Sequence, residues 1–136
     1  TAYEIIAGDW SSDVCSSDLT AINKILGTKI TYYDLREDNE WQPDFEALEK
    51  MDLSHVKLMW TNYPNMPTGG VAKMETYERL VKFAKDHNIV VVNDNPYSLI
   101  LNEHPLSIMQ VPAPRTAASN SIRSARATTC RDGVWL

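Results

Sequence analysis

Residues 56–93 contain, in order, the runs VKLMW, TNYPNMPTGG, METYERLVKFAKDHN and IVVVN. This succession constrains the fold more than any other feature of the chain. The first and last runs are short and apolar, and IVVVN is apolar at every interior position. That pattern predicts strands buried on both faces, as in a parallel sheet. Between them, Met74, Tyr77, Val81 and Ala84 recur at helical spacing, with Leu80 and Phe83 beside them. Glu75 and Glu78 near the start, Lys85 and His87 near the end, and Asn88 as a cap all suit the helix dipole and its termination. The unit is a β-α-β crossover. Its two strands therefore run parallel, and their carboxyl ends, where ligands of open α/β sheets bind, lie on one side of the sheet.

The preceding segment extends this α/β pattern. Ile22, Ile25 and Leu26 share one helical face, and Gly27 is placed to end that helix. KITYYDL at 29–35 is rich in β-branched and aromatic residues and reads as a strand, followed by a polar turn, REDNEW. In PDFEALEKM, Pro43 stands where a first helical turn tolerates proline, with Phe45 and Leu48 at a spacing of three.

The two strand ends carry the residues with the most chemistry. After the first comes TNYPNMPTGG at 61–70, an irregular loop fixed by two prolines and two glycines. After the second comes DNPY at 94–97, a carboxylate and a phenol three residues apart. Each motif by itself is satisfied by ordinary loop geometry and a loop carboxylate. In combination, YPNMPTGG followed by VVVNDNPY resembles the class I/II aminotransferases, the pyridoxal-phosphate enzymes of fold type I. The resemblance covers about residues 20–111, the middle of that family's large, mainly parallel-sheet domain.

The resemblance implies a cofactor, pyridoxal 5'-phosphate, and a role for each matching residue. Asp94 would pair with the pyridine nitrogen and keep it protonated, so that the ring can act as an electron sink. Tyr97 would donate to the cofactor's phenolic oxygen. The family usually has an Asn immediately before the Pro of P-T-G; here that position is Met66, which has no hydrogen to donate, and Asn65 is the substitute. The implied activity is amino-group transfer between an amino acid and a 2-oxo acid, in an enzyme that is normally a homodimer. A C–S lyase or decarboxylase of the same fold would share Asp94 and Tyr97. A non-catalytic α/β ligand-binding module is the reading from another class, although the turn lacks the G-x-G-x-x-G run of a dinucleotide site.

The family's Schiff-base lysine follows the Asp-x-x-Tyr strand in a Ser-x-Ser-Lys element, with an arginine beyond it. No lysine follows Asp94 in this chain, so no catalytic residue is assigned and the chain as it stands is expected to be inactive. From Ala113 onward the sequence, APRTAASNSIRSARATTCRDGVWL, has no hydrophobic period and reads as a disordered tail. It can be written in codons such that reading from the last base of the Ala113 codon gives A-K-D-C-C-I-E-L-N-S-L-S-K-S-H-N-M-P-G-W-R-V. That string contains S-L-S-K and G-W-R, and its lysine codon straddles Ala125 and Arg126. SSDVCSSDL at 11–19 can likewise be written in codons that resemble the end of a sequencing-library adapter. TAYEIIAGDW before it matches nothing the family places ahead of TAINKILGTKI. The expected organisation is a non-native leader at 1–19, a partial large domain at 20–112 and a frameshifted tail at 113–136.

Composition narrows the remaining function classes. A formal net charge of −5 with no basic run argues against nucleic acid or anionic membrane as a partner. The absence of a long apolar stretch and of a secretory leader points to a cytoplasmic protein, and the absence of an initiator methionine to a fragment. Cys15 and Cys130 lie in the leader and the tail and support neither a disulfide nor a metal site. His55, His87 and His104 are too widely spaced for a metal-ligand pattern.

Overall fold

The computed structural model describes residues 3–8, 21, 23–65, 67–95, 97, 104–112 and 118–121. Among the described residues five strands form one sheet: β1 (Glu4–Gly8), β2 (Lys29–Tyr33), β3 (Val56–Asn62), β4 (Val90–Asp94) and β5 (Ala118–Ser121). Their spatial order is β2-β1-β3-β4-β5, and every neighbouring pair is parallel. The described helices with both ends defined are α1 (Phe45–Glu49) and α2 (Met74–Asp86), with short 3-10 turns at Glu37–Asn39 and Ile108–Gln110. No helix among the described residues is long and apolar enough to cross a membrane.

The β-α-β unit forms as its periodicity predicts. Tyr77, Leu80, Val81, Phe83 and Ala84 of α2 are buried, and Asn88 ends the helix in the left-handed region with φ 55°. They pack with Ile6, Met59, Val91, Phe45, Leu48 and Ile108 into one core on one face of the sheet. The opposite face is less covered than the apolar run of β4 implies. Val90 is exposed and Val92 half-buried, and among the described residues that side holds the small cluster of Ala7 with Ile30, Leu35 and Trp60.

Three expectations need correcting. Pro43 precedes α1, pairing with Leu35 in an isolated bridge; Asp44 is the cap, its Oδ1 accepting from Glu46 N and Ala47 N at 3.1 Å each. Residues 21 and 23–26 are helical and Gly27, at φ 66°, ends them, but Ile25 and Leu26 face solvent. The buried residue there is Asn23, whose side chain accepts from the Thr28 hydroxyl while its carbonyl accepts from Thr28 N at 3.1 Å. Local bonding at the helix end, and not the apolar face, fixes how this segment is turned.

The third correction concerns the two ends. Residues 4–8, expected to stand outside the domain with the rest of the leader, form β1, which lies between β2 and β3 with Ile6 and Ala7 sealed in the interior. Residues 118–121, expected to be disordered with the rest of the tail, form β5 alongside β4 in the register Val91↔Ala118 to Asp94↔Ser121. A ladder is made of backbone N–H and C=O groups, so a segment without hydrophobic period still completes an edge that needs partners. Residues 9–20, 113–117 and 122–136, with Cys15 and Cys130, lie outside the described residues.

Candidate active site

Because β3 and β4 are adjacent and parallel, their carboxyl ends meet at one rim of the sheet. The register pairs Thr61 with Asn93 and Asn62 with Asp94. Asn62 Nδ2 donates to the Asp94 carbonyl at 3.1 Å, which fixes the main chain that carries the Asp94 carboxylate. Asp94 is fully buried, Asn95 is buried, and Tyr97 lies half-buried three residues on.

The loop after β3 closes on itself around Asn65. Asn65 N donates to the Gly70 carbonyl at 2.7 Å and Gly69 N donates to the Asn65 carbonyl at 2.8 Å. Gly69 occupies the left-handed region at φ 75°, where a side chain would be strained. The Thr68 hydroxyl accepts from Gly70 N at 3.1 Å and donates to Asn65 Oδ1 at 2.6 Å. This leaves Asn65 Nδ2 buried with no hydrogen-bond partner among the described residues. Met66, the residue in the family's usual Asn position, lies outside the described residues.

A second segment backs the loop. Trp41, at φ 59°, brings its Cβ so close to Gly70 that a Cβ added there would sit 2.8 Å away. Tyr63 Oη donates to the Trp41 carbonyl at 2.7 Å, and Gln42 Nε2 donates to the Val71 carbonyl at 3.1 Å. On the β4 side, Asn93 Oδ1 accepts from Thr61 Oγ1 and from Tyr63 N, each at 3.1 Å, and Asn93 Nδ2 donates to the Tyr63 carbonyl at 3.2 Å. Trp41, Tyr63 and Asn93 are not marked by their sequence context, and Tyr77 only as part of the apolar face of α2, since these bonds join residues far apart in the chain.

Neither of two surface clefts, of about 390 and about 270 Å3, is lined by Asn65, Asp94 or Tyr97. His87, near the smaller cleft, is a helix-end residue, its Nε2 lying 3.0 Å from Glu49 Oε2 and its ring packing on Phe83. Among the described residues no group of three His, Cys, Asp or Glu side chains is placed to hold a metal ion.

The sequence profile of the family "Aminotransferase class I and II" matches residues 10–125, most of the chain and both strand-end loops. The chain belongs to the class I and II aminotransferases. LL-diaminopimelate aminotransferases are among the curated relatives it resembles. It is 42% identical over 95 residues to LL-diaminopimelate aminotransferase of Gloeobacter violaceus, covering 68% of this chain and 24% of that protein. It is 38% identical over 86 residues to the Aquifex aeolicus protein of the same name, covering 62% of this chain and 22% of the other. The chain thus spans about a quarter of the length of these relatives. Among solved structures, substrate-bound BacF from Bacillus subtilis superposes with a TM-score of 0.75 at 28% identity, over 88% of this chain and 30% of BacF. Alanine aminotransferase from Pyrococcus furiosus gives a TM-score of 0.67 at 28% identity, over 79% of this chain and 26% of that one. The parallel α/β sheet is therefore part of the large domain of a fold type I aminotransferase.

Proposed function

We propose that the protein this chain represents transfers an amino group between an amino acid and a 2-oxo acid, with pyridoxal 5'-phosphate held at the carboxyl ends of β3 and β4. The observation that carries the reading is the presence, at neighbouring strand ends, of a fully buried carboxylate, Asp94, and a buried amide donor, Asn65 Nδ2, that no group among the described residues satisfies. Buried polar atoms are nearly always bonded, so an unmet donor in a closed loop fits a ligand that presents an oxygen acceptor. A buried carboxylate fits a ligand that presents a cationic N–H.

When bound, pyridoxal phosphate supplies a ring that withdraws electrons from the amino acid's α-carbon. Asp94 would hold the proton on the ring nitrogen, and Asn65 Nδ2 and the Tyr97 hydroxyl would donate to the ring oxygen. Burial of Asp94 keeps water from competing for its carboxylate and strengthens that pairing. The names of the curated relatives point to LL-diaminopimelate as the amino-acid substrate, and the family habit to a homodimer. The lysine that would bind the cofactor covalently and move the α-proton belongs, on this reading, to the shifted frame across Ala125 and Arg126. The chain as it stands then binds the cofactor without turnover.

Titration of the chain with pyridoxal phosphate, followed by tryptophan fluorescence, tests the reading. Saturable binding is expected, and Asp94→Ala is expected to weaken it about tenfold to hundredfold, the worth of one charge-assisted hydrogen bond of about 1.5–3 kcal/mol. Equal affinity of the two proteins would overturn the assignment of Asp94. Source DNA without AAG or AAA across the junction of codons 125 and 126 would remove the shifted-frame lysine.

A further inference from the structure

Asn93 is fully buried, and its polar atoms serve the loop that carries Asn65. Tyr63 is the first residue beyond β3, so its N–H and C=O have left the strand ladder, which ends at the pair Asn62↔Asp94. The Asn93 carboxamide takes the ladder's place. Its oxygen accepts from Tyr63 N at 3.1 Å and its nitrogen donates to the Tyr63 carbonyl at 3.2 Å, as a peptide group on the neighbouring strand would. Thr61 Oγ1, donating to Asn93 Oδ1 at 3.1 Å, and Tyr77 Oη, 3.5 Å from Asn93 Nδ2, hold the carboxamide from two further elements.

The arrangement fixes both ends of the loop. Asn93 pins its entry at Tyr63, and Trp41, bonded through Tyr63 Oη, blocks its exit at Gly70. Asn65 sits between the two pins, bonded to Gly70 and Gly69. On its own strand, Asn93 is followed directly by Asp94. One residue thus joins the two groups on which the cofactor reading rests. Few side chains can replace it. An ionised Asp only accepts, so it would leave the Tyr63 carbonyl unmet and bury a second carboxylate beside Asp94, and Leu offers neither function.

We propose that Asn93 is a positioning residue, setting the placement of the Asn65 amide relative to the Asp94 carboxylate and so the affinity for pyridoxal phosphate. The proposal rests on the cofactor reading above. It is tested on the full chain with Asn93→Ala and with the milder Thr61→Val, which removes one donor to the Asn93 oxygen. In the ligand-free proteins, amide hydrogen exchange at Tyr63, Asn65 and Gly69 is expected to quicken at least tenfold in Asn93→Ala. Exchange at Met59 and Val91, in the sheet, should stay as in the parent. Affinity for pyridoxal phosphate should fall at least tenfold although Asp94 and Asn65 are intact, with the same pattern at smaller amplitude in Thr61→Val. If Asn93→Ala does not fold, Thr61→Val decides by the same criteria. Exchange that quickens equally in loop and sheet would make Asn93 a core residue only and overturn the proposal. Unchanged affinity in a parent that binds would overturn this proposal alone, whereas a parent with no affinity would overturn the cofactor reading and this proposal together.

Discussion

A chain shortened to begin at Thr20 is expected to lose its cooperative unfolding transition. The shortening removes β1, whose five residues pair with all of β2 and which also pairs with β3. Among the described residues β2 has no neighbour in the sheet other than β1, so removal of β1 detaches β2 as well. Burial of Ile6 is worth about 1.5–3 kcal/mol, and Tyr33 at the end of β2, whose hydroxyl donates to the Trp60 carbonyl at 3.2 Å, adds a comparable amount. The surface pair Lys29–Glu4 adds little, with the lysine largely exposed. Against a total stability of about 5–15 kcal/mol for a domain, losing two strands of five removes most of the margin. Urea denaturation followed by circular dichroism checks this. A shortened chain with the parent's midpoint and steepness would show that β1 adds nothing to the fold.

That prediction concerns the segment the sequence revealed least. The β-α-β unit was legible because its pattern is local: two apolar strands, and one helix whose buried residues recur every three or four positions. EIIAG of β1 has no such context. It is brief, it precedes a Ser- and Asp-rich stretch, and its partners β2 and β3 lie far along the chain, so nothing nearby marks it as an interior strand. ASNS of β5 is the extreme case, since only its backbone is needed. Ile25 and Leu26 show the reverse error, where a helical stripe promised burial and the neighbouring Asn23 took it.

The candidate site divides in the same way. Asp94, Tyr97 and Asn65 were singled out by short motifs at strand ends, and topology alone then places the two loops on one rim. The scaffold that holds them was not legible. Asn93 looks like one more residue of an apolar strand, and Trp41 like part of a polar turn. Their roles arise from bonds between β4, α2, the 61–70 loop and the segment ahead of α1, and no spacing within any one of those elements encodes such a bond.

Above about pH 10 the same scaffold is expected to unfold the protein in one step, because its phenols cannot ionise in place. Burial pushes Tyr77 up to about 12, against the smaller opposing effect of its hydrogen bond with Asn93, and it pushes Tyr33 and Tyr63 higher still. In the unfolded chain all three lose their protons near pH 10, while the folded protein keeps them. The unfolded state then binds fewer protons, so stability falls as pH rises; below about pH 10 both states are protonated and these groups make stability independent of pH. Each phenol contributes a loss of about 1.4 kcal/mol per pH unit, and three together about 4 kcal/mol per unit until the folded pKa values are reached. A margin of about 5–15 kcal/mol is then spent within a few pH units above 10. Three of the six tyrosines, Tyr3, Tyr32 and Tyr97, reach solvent in the fold. Only the share of tyrosinate absorbance due to Tyr33, Tyr63 and Tyr77 should therefore change together with the circular dichroism, since Tyr63 ionises only when its bond to the Trp41 carbonyl and its burial are lost at once. Tyr63→Phe should make the alkaline fall shallower by about a third. Complete tyrosinate absorbance, with the share of Tyr33, Tyr63 and Tyr77 included, while the dichroism stays native would mean that these phenols reach solvent within the fold, and the packing of Tyr63 and Tyr77 around Asn93 could not then be as close as described.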